Sequence, residues 1–159
     1  MSNVFLRHQM GNKNLFKIGV FGIIFNKEKG VLLCHRRDYD LWNLPGGGLE
    51  KNESPWEGVV REVREETGLI VEIQRLSGIY SKPDQSEIVF SFACNVIAGK
   101  VACNDEADRI EYFKFDKIPS NTSPKQLERI KDAFESSEVV MKVQRGLSSI
   151  DLLKQGELK

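Results

Sequence analysis

The sequence predicts an α/β (α+β) fold, and three observations carry the prediction. A nearly all-apolar run at residues 16–26 has the composition of a strand buried on both faces. Two long β-prone stretches fill the middle of the chain. Two segments that open with Ser-Pro, at Ser54-Pro55 and Ser123-Pro124, read as helices interrupting the strands.

Taken in order, Phe16 to Asn26 is the first strand, and the polar turn from Asn26 to Gly30 makes Val31 to Arg36 its hairpin partner. A loop with Gly46, Gly47 and Gly48 follows. The helix from Pro55 to Thr67 has Ser54 as N-cap, Pro55 at the first helical position and Glu57 completing a capping box, and Gly68 ends it. Strands are predicted near Ile70 to Tyr80 and Glu87 to Ile97, where Ile88, Phe90, Phe92, Cys94 and Val96 alternate onto one face. A short strand is predicted at Ile110 to Phe115. The last region reads as helical over about 123–155, with Leu127, Ile130 and Phe134 at core spacing.

Composition narrows the function. The chain has 159 residues, 40% hydrophobic and 29% charged, with 23 basic and 23 acidic residues and a net charge of zero. That length predicts one domain spanning 1–159. A protein that tracks a phosphate backbone carries a basic excess, so no nucleic-acid partner is expected. The longest apolar run, Ile18 to Phe25, falls far short of the roughly 20 residues that span a bilayer. Residues 1–14 show no leader-peptide pattern. Cys34, Cys94 and Cys103 form no C-x-x-C pair and read as reduced thiols, and the expected location is cytoplasmic. With His8 and His35 the only histidines, a zinc site of the usual kind has little to work with, so metal chemistry falls to oxygen ligands.

The 54–68 helix is not patterned like an ordinary amphipathic one. At about 100° per residue, Val59, Val60, Val63 and Thr67 fall within roughly 60° of Trp56, a narrow core-facing stripe. Glu62, Glu65 and Glu66 share one polar edge, with Gly58 in the same arc. Like charges three and four residues apart repel by a few tenths of a kcal/mol per pair, about 0.2–0.5. A hard divalent cation between them turns that repulsion to use. Arg61 pairs with Glu65 one turn on, and Gly58 lets other chain approach the carboxylates.

The stretch Gly47-x5-Glu53-x7-Arg61-Glu62-Val63-x-Glu65-Glu66-x-Gly68-Leu69 resembles, at every fixed position, the box of the Nudix hydrolases. It covers 23 of the 159 residues, and the approach from Leu41 to Gly48 is similar to the family's as well. The resemblance implies an α/β/α sandwich with a mixed sheet. It also implies hydrolysis of a nucleoside diphosphate linked to another moiety, with Mg²⁺ as cofactor and Mn²⁺ as the alternative. On the family pattern Glu62, Glu65 and Glu66 bind the metal with Glu53 assisting, Arg61 holds a glutamate, and Gly46, Gly47 and Gly48 shape the substrate side. Residues 47–69 hold six acids and three bases, so without a cation the site repels a diphosphate.

Other positions have two readings each. Glu106 is an extra metal ligand or general base, or one acid of a solvated loop. Arg36 contacts phosphate or is an exposed arginine after a strand, and Tyr80 contacts the nucleobase or belongs to the core. Phe21 and Phe90 read as core. Pro83 lies 14 positions past Leu69, close to where relatives acting on ADP-ribose carry a proline. Nucleotide-sugar hydrolysis, ADP-ribose first, is the expected activity. The alternatives are a MutT-like (d)NTP pyrophosphatase and a non-catalytic nucleotide-sensing module. The expected partner is a small nucleotide, the assembly a monomer or homodimer.

Overall fold

The computed structural model describes residues 15–159. The leader-peptide reading and His8 lie outside them. The chain forms β1 (Lys17–Ile24), β2 (Val31–Arg36), β3 (Trp42–Asn43), β4 (Gly46–Gly48), α1 (Pro55–Thr67), β5 (Leu69–Lys82), β6 (Glu87–Gly99), β7 (Ala107–Phe113), α2 (Pro124–Glu135), β8 (Val140–Val143) and α3 (Ser149–Lys154). Five strands make a mixed sheet in the order β4-β1-β6-β5-β8, and β3-β2-β7 form a smaller antiparallel one.

Strand β1 explains the layering. Successive β1 residues serve two cores: Val20 and Ile24 pack with Val59 and Val63 of α1, while Ile23 packs with Trp42, Leu44 and Ile130 of α2. Helices therefore cover both faces of the main sheet, as the doubly apolar run at 16–26 predicts. β6 does the same, with Phe92 and Cys94 on the α1 side and Val89, Ser91 and Ala93 also buried.

Three expectations are corrected. First, β2 is not the hairpin partner of β1. The chain turns at Asn26–Gly30 and makes one antiparallel bridge, Phe25 to Val31, before β2 leaves for the second sheet. Both edges of β1 are already taken, by β4 antiparallel and by β6 parallel along its whole length. Second, the C-terminal region is not helical throughout, because β8 lies between α2 and α3 and extends the sheet edge parallel to β5. Its Val140-Met141-Lys142-Val143 composition suits a strand better than a helix.

Third, the apolar pattern of α2 misplaces its face. Ile130 is fully buried but Phe134 is 47% exposed, stacking on Phe115 outside the core. The buried face instead carries Gln126, Arg129, Asp132 and Ala133 beside Ile130. Polar partners make this affordable. Arg129 donates from Nε and Nη2 to Oε1 of Gln144, and Asp132 accepts from Lys142 Nζ at 2.6 Å and from the Tyr80 hydroxyl at 3.0 Å. Burial pulls the Arg129 guanidinium down to about 10. In α1, Trp56 at the head of the predicted stripe is also largely exposed, whereas Val59, Val63 and Thr67 are buried. Among the described residues no helix is long and apolar enough to cross a membrane.

Candidate active site

α1 is set by its ends. The Ser54 hydroxyl accepts from the Glu57 amide, the Glu57 carboxylate accepts from the Ser54 amide at 2.9 Å, and Gly68 closes the helix in the left-handed conformation with φ 76°. Thus bounded, the helix presents Arg61, Glu62, Glu65 and Glu66 beside the glycine strand β4.

Arg61 is the hub of this edge. Its Nε and Nη2 donate to the two oxygens of Glu53 at 2.8 and 2.9 Å, a bidentate pair. Its Nη1 donates to Glu62 at 2.9 Å and to Glu65 at 3.2 Å, and Nη2 also reaches the Gly48 carbonyl at 3.1 Å. The expected partner, Glu65, is the longest of the carboxylate hydrogen bonds and its side chain is mostly exposed. Glu53 takes first place because Gly58 leaves room for it: a Cβ there would lie 2.7 Å from Leu49 Cδ1 and 3.0 Å from Glu53 Oε2. The pairing with Arg61 holds the Glu53 carboxyl below its usual range, and the same hydrogen bond raises the guanidinium.

β4 contributes close approach. Gly46 has φ +149°, and a Cβ there would collide with the Val20 carbonyl. At Gly47 a Cβ would stand 2.8 Å from Glu62 Oε1. The strand can therefore lie against both carboxylates, and the Gly46 amide donates to Glu66 Oε2 at 3.1 Å. Burial pushes Glu66 up to about 8; the Gly46 amide opposes the shift, while the charges of Glu62 and Glu106 add to it. Burial also raises Glu62, against the pull of Arg61.

Glu66 opens into a cavity of about 520 Å³ between β2, β4, the 104–107 loop and the start of α2. Gly46, Gly47, Arg36, Arg37 and Glu106 line it, together with Phe21, Asn43 and Gln126. Arg36 is steadied by a bidentate pair with Asp38 at 2.7 and 2.6 Å. Phe21, expected in the core, packs against the Ile23–Trp42 core and also forms part of the cavity wall, with the Arg129 guanidinium 5.1 Å from its ring centroid.

Two predicted substrate contacts are not brought to the cavity. Tyr80 has no exposed surface, and its hydroxyl donates to Asp132, so it is a core residue under α2. We expect Tyr80→Phe to cost about 1–2 kcal/mol by leaving Asp132 short of a donor and to lower Tm by about 3–6 °C. Its kcat/KM should stay at the wild-type value; a tenfold loss with unchanged Tm would return Tyr80 to the substrate. Pro83 opens a 3₁₀ turn, Pro83–Gln85, whose Asp84 and Gln85 bond to Gly146 at the far end of the β5–β6 hairpin.

Asn104 was missed by sequence reasoning. Its Nδ2 donates to the carbonyls of Glu65 and Glu66 at 2.9 and 2.8 Å, while its Oδ1 accepts the amides of Glu106 and Ala107. One amide thus ties the Glu106 loop to the end of α1. An Asn at a loop start signals a turn, but nothing local reveals a partner 38 residues away.

The donor set is all oxygen. Among the described residues no three His, Cys, Asp or Glu side chains close around a point, and Glu53, Glu62 and Glu65 instead share Arg61. The mutual repulsion of Glu62, Glu66 and Glu106 is what a cation in this region would relieve.

The NUDIX domain family model matches residues 15–134. The chain belongs to the Nudix hydrolase family. It is a pyrophosphohydrolase, and Nudix hydrolases generally use divalent metal ions and act on small nucleotides. It is 30% identical over 145 residues to the Bacillus subtilis "Putative 8-oxo-dGTP diphosphatase", covering 89% of this chain and 97% of that one. It is 38% identical over 109 residues to the ADP-ribose pyrophosphatase of Methanocaldococcus jannaschii, covering 64% of each. The solved ADP-ribose pyrophosphatase of Streptococcus suis superposes with a TM-score of 0.68 at 28% identity, over 82% of this Nudix chain and all of that one.

Proposed function

We propose that this Nudix hydrolase, acting as one domain over 1–159, cleaves the diphosphate of a nucleoside diphosphate linked to a sugar, with ADP-ribose as the first candidate. The observation that carries the reading is that one cavity is lined by groups of both signs: the carboxylates Glu66 and Glu106, and the guanidiniums Arg36 and Arg37, whose charge suits a phosphate chain. The likeness to two proteins named ADP-ribose pyrophosphatase supports the sugar-linked class. The relative named for 8-oxo-dGTP, matched over nearly its whole length, supports a triphosphate as the second reading.

In this proposal Glu62, Glu65 and Glu66 hold the divalent cation, Mg²⁺ before Mn²⁺, with Glu53 assisting through Arg61. When bound, the cation offsets the diphosphate charge and makes hydroxide available near neutrality. The chain's own residues do the rest. Arg61 holds three carboxylates in place, and the Gly46 amide orients Glu66. Glu106, anchored by Asn104, stands on the cavity wall as the candidate proton acceptor. One water is consumed and one P–O–P link breaks, so ADP-ribose yields AMP and ribose 5-phosphate.

The test is kcat/KM on ADP-ribose, dGTP and 8-oxo-dGTP with Mg²⁺ and with chelator. Turnover should vanish with chelator and favour ADP-ribose. A tenfold preference for either triphosphate, about 1.4 kcal/mol in transition-state binding, moves the enzyme to the second class. Binding of any of them without hydrolysis makes it a sensor instead.

A further inference from the structure

His35 is the only ring in the described structure held by two carboxylates, and neither carboxylate belongs to the helix just described. Its Nδ1 lies 2.7 Å from Asp108 Oδ1 and its Nε2 lies 2.9 Å from Asp40 Oδ1. The ring is 7% exposed and packs edge-on against Trp42, with centroids 5.0 Å apart. Carboxylates only accept, so both bonds stand together when both ring nitrogens carry protons.

The two aspartates come from two segments whose nearby residues Asp38 and Ala107 line the cavity. Asp40 sits in the loop after β2, and its Oδ1 and carbonyl also accept the Asn121 amide that leads into α2. Asp108 sits at the start of β7, next to the loop that carries Glu106. Opposite it the β2–β7 register slips: His35 faces Arg109 and Arg36 faces Ala107, leaving Asp108 as the extra residue of a bulge. A bulge turns a side chain out of its ladder position, and here it brings Asp108 onto His35. Arg37, two residues on and just past the end of β2, joins the same two segments from its backbone amide to the Glu106 carbonyl at 3.0 Å and from Nε to the Asn104 carbonyl at 2.7 Å.

We propose that His35 is a positioning residue for this reaction. It clamps the 37–41 and 104–108 loops together and so places Glu106 and the two arginines about the cavity. The clamp adds little to overall stability, because Asp40 and Asp108 both remain solvent-accessible. Its effect is on geometry. The kinetic part of the proposal rests on the reading of the site given above, whereas the structural part does not.

The test joins hydrogen–deuterium exchange to kinetics, on the full chain, for wild type, His35→Leu and His35→Gln. In His35→Leu the amides of both loops should exchange about tenfold faster, with β1 and β6 amides unmoved. His35→Gln, which can satisfy one carboxylate at a time, should loosen the loops less and guards against a misfolded leucine variant. On whichever nucleotide wild type hydrolyses, kcat should fall at least tenfold in His35→Leu and less in His35→Gln, with KM changing under threefold. Unchanged exchange in either loop overturns the clamp, and loosened loops with wild-type kcat overturn the positioning role. A wild type that hydrolyses none of the three nucleotides overturns the function proposed above, and the exchange result still decides the clamp.

Discussion

Replacing Glu66 with glutamine should lower kcat by about a thousandfold, roughly 4 kcal/mol in transition-state stabilisation, and should make the metal-free protein more stable at pH 9. Both effects come from the same burial. The Glu66 carboxyl titrates near 8 in the fold, against 4.5 as the ordinary value, because it is largely withdrawn from water and faces Glu62 and Glu106. A raised carboxyl binds its proton more tightly folded than unfolded, so its contribution to stability is complete below about pH 4.5 and is lost as the pH climbs through 8. Above that, the metal-free protein carries a buried, ionised and crowded carboxylate. Glutamine keeps the shape and an acceptor for the Gly46 amide without the charge. Thermal unfolding with chelator should therefore show Glu66→Gln above wild type by about 3 °C or more at pH 9, with the gap closing near pH 5. Mg²⁺ should raise the wild-type Tm and leave the variant nearly unmoved. A variant with wild-type turnover, or one no more stable than wild type at pH 9, removes Glu66 from the metal site.

Arg61→Ala should lower kcat/KM by about 10- to 100-fold, the size expected when the group holding a metal's ligands is removed. Arg61 serves Glu53, Glu62 and Glu65 at once and reaches the Gly48 carbonyl, so its loss frees the helix edge, the 49–53 loop and the end of β4 together. Arg61→Lys should recover little of this. An ammonium cannot make the two parallel bonds to Glu53 that the guanidinium makes. Half-activation by Mg²⁺ should shift to higher concentration in both variants. If lysine restores wild-type kinetics, Arg61 acts as a point charge and the bidentate hold on Glu53 is incidental.

The box helix was legible because its determinants are local. Ser54, Pro55, Glu57 and Gly68 set its ends through contacts within one turn, and the spacing of Glu62, Glu65 and Glu66 alone puts them on one edge. The crowding of the site by glycine was legible as well, since Gly46, Gly47 and Gly58 stand where side chains of ordinary size would be expected. The partners of these groups were less visible. Helix spacing pairs Arg61 with Glu65 one turn on, a bond that forms at 3.2 Å, but the shorter bidentate pair is with Glu53, which reaches it from the loop beside Gly58.

By itself, then, the sequence determined the limits of α1 and its acidic edge, because each rests on periodicity, capping or charge within some twenty residues; the family was carried by the resemblance of residues 47–69 to the box, and the mixed class by the alternation of apolar runs and capped segments along the chain. Tertiary structure alone decided which strand pairs with β1, that α2 buries Arg129 and Asp132, that Tyr80 belongs to the core, and that Asn104 and His35 bind the Glu106 loop to the cavity. Several of those outcomes depend on partners 38 to 73 residues away, such as Asn104 on Glu66, Tyr80 on Asp132 and His35 on Asp108. A polar side chain is stable in a buried place only if a distant segment arrives with its complement, and no local pattern records that arrival.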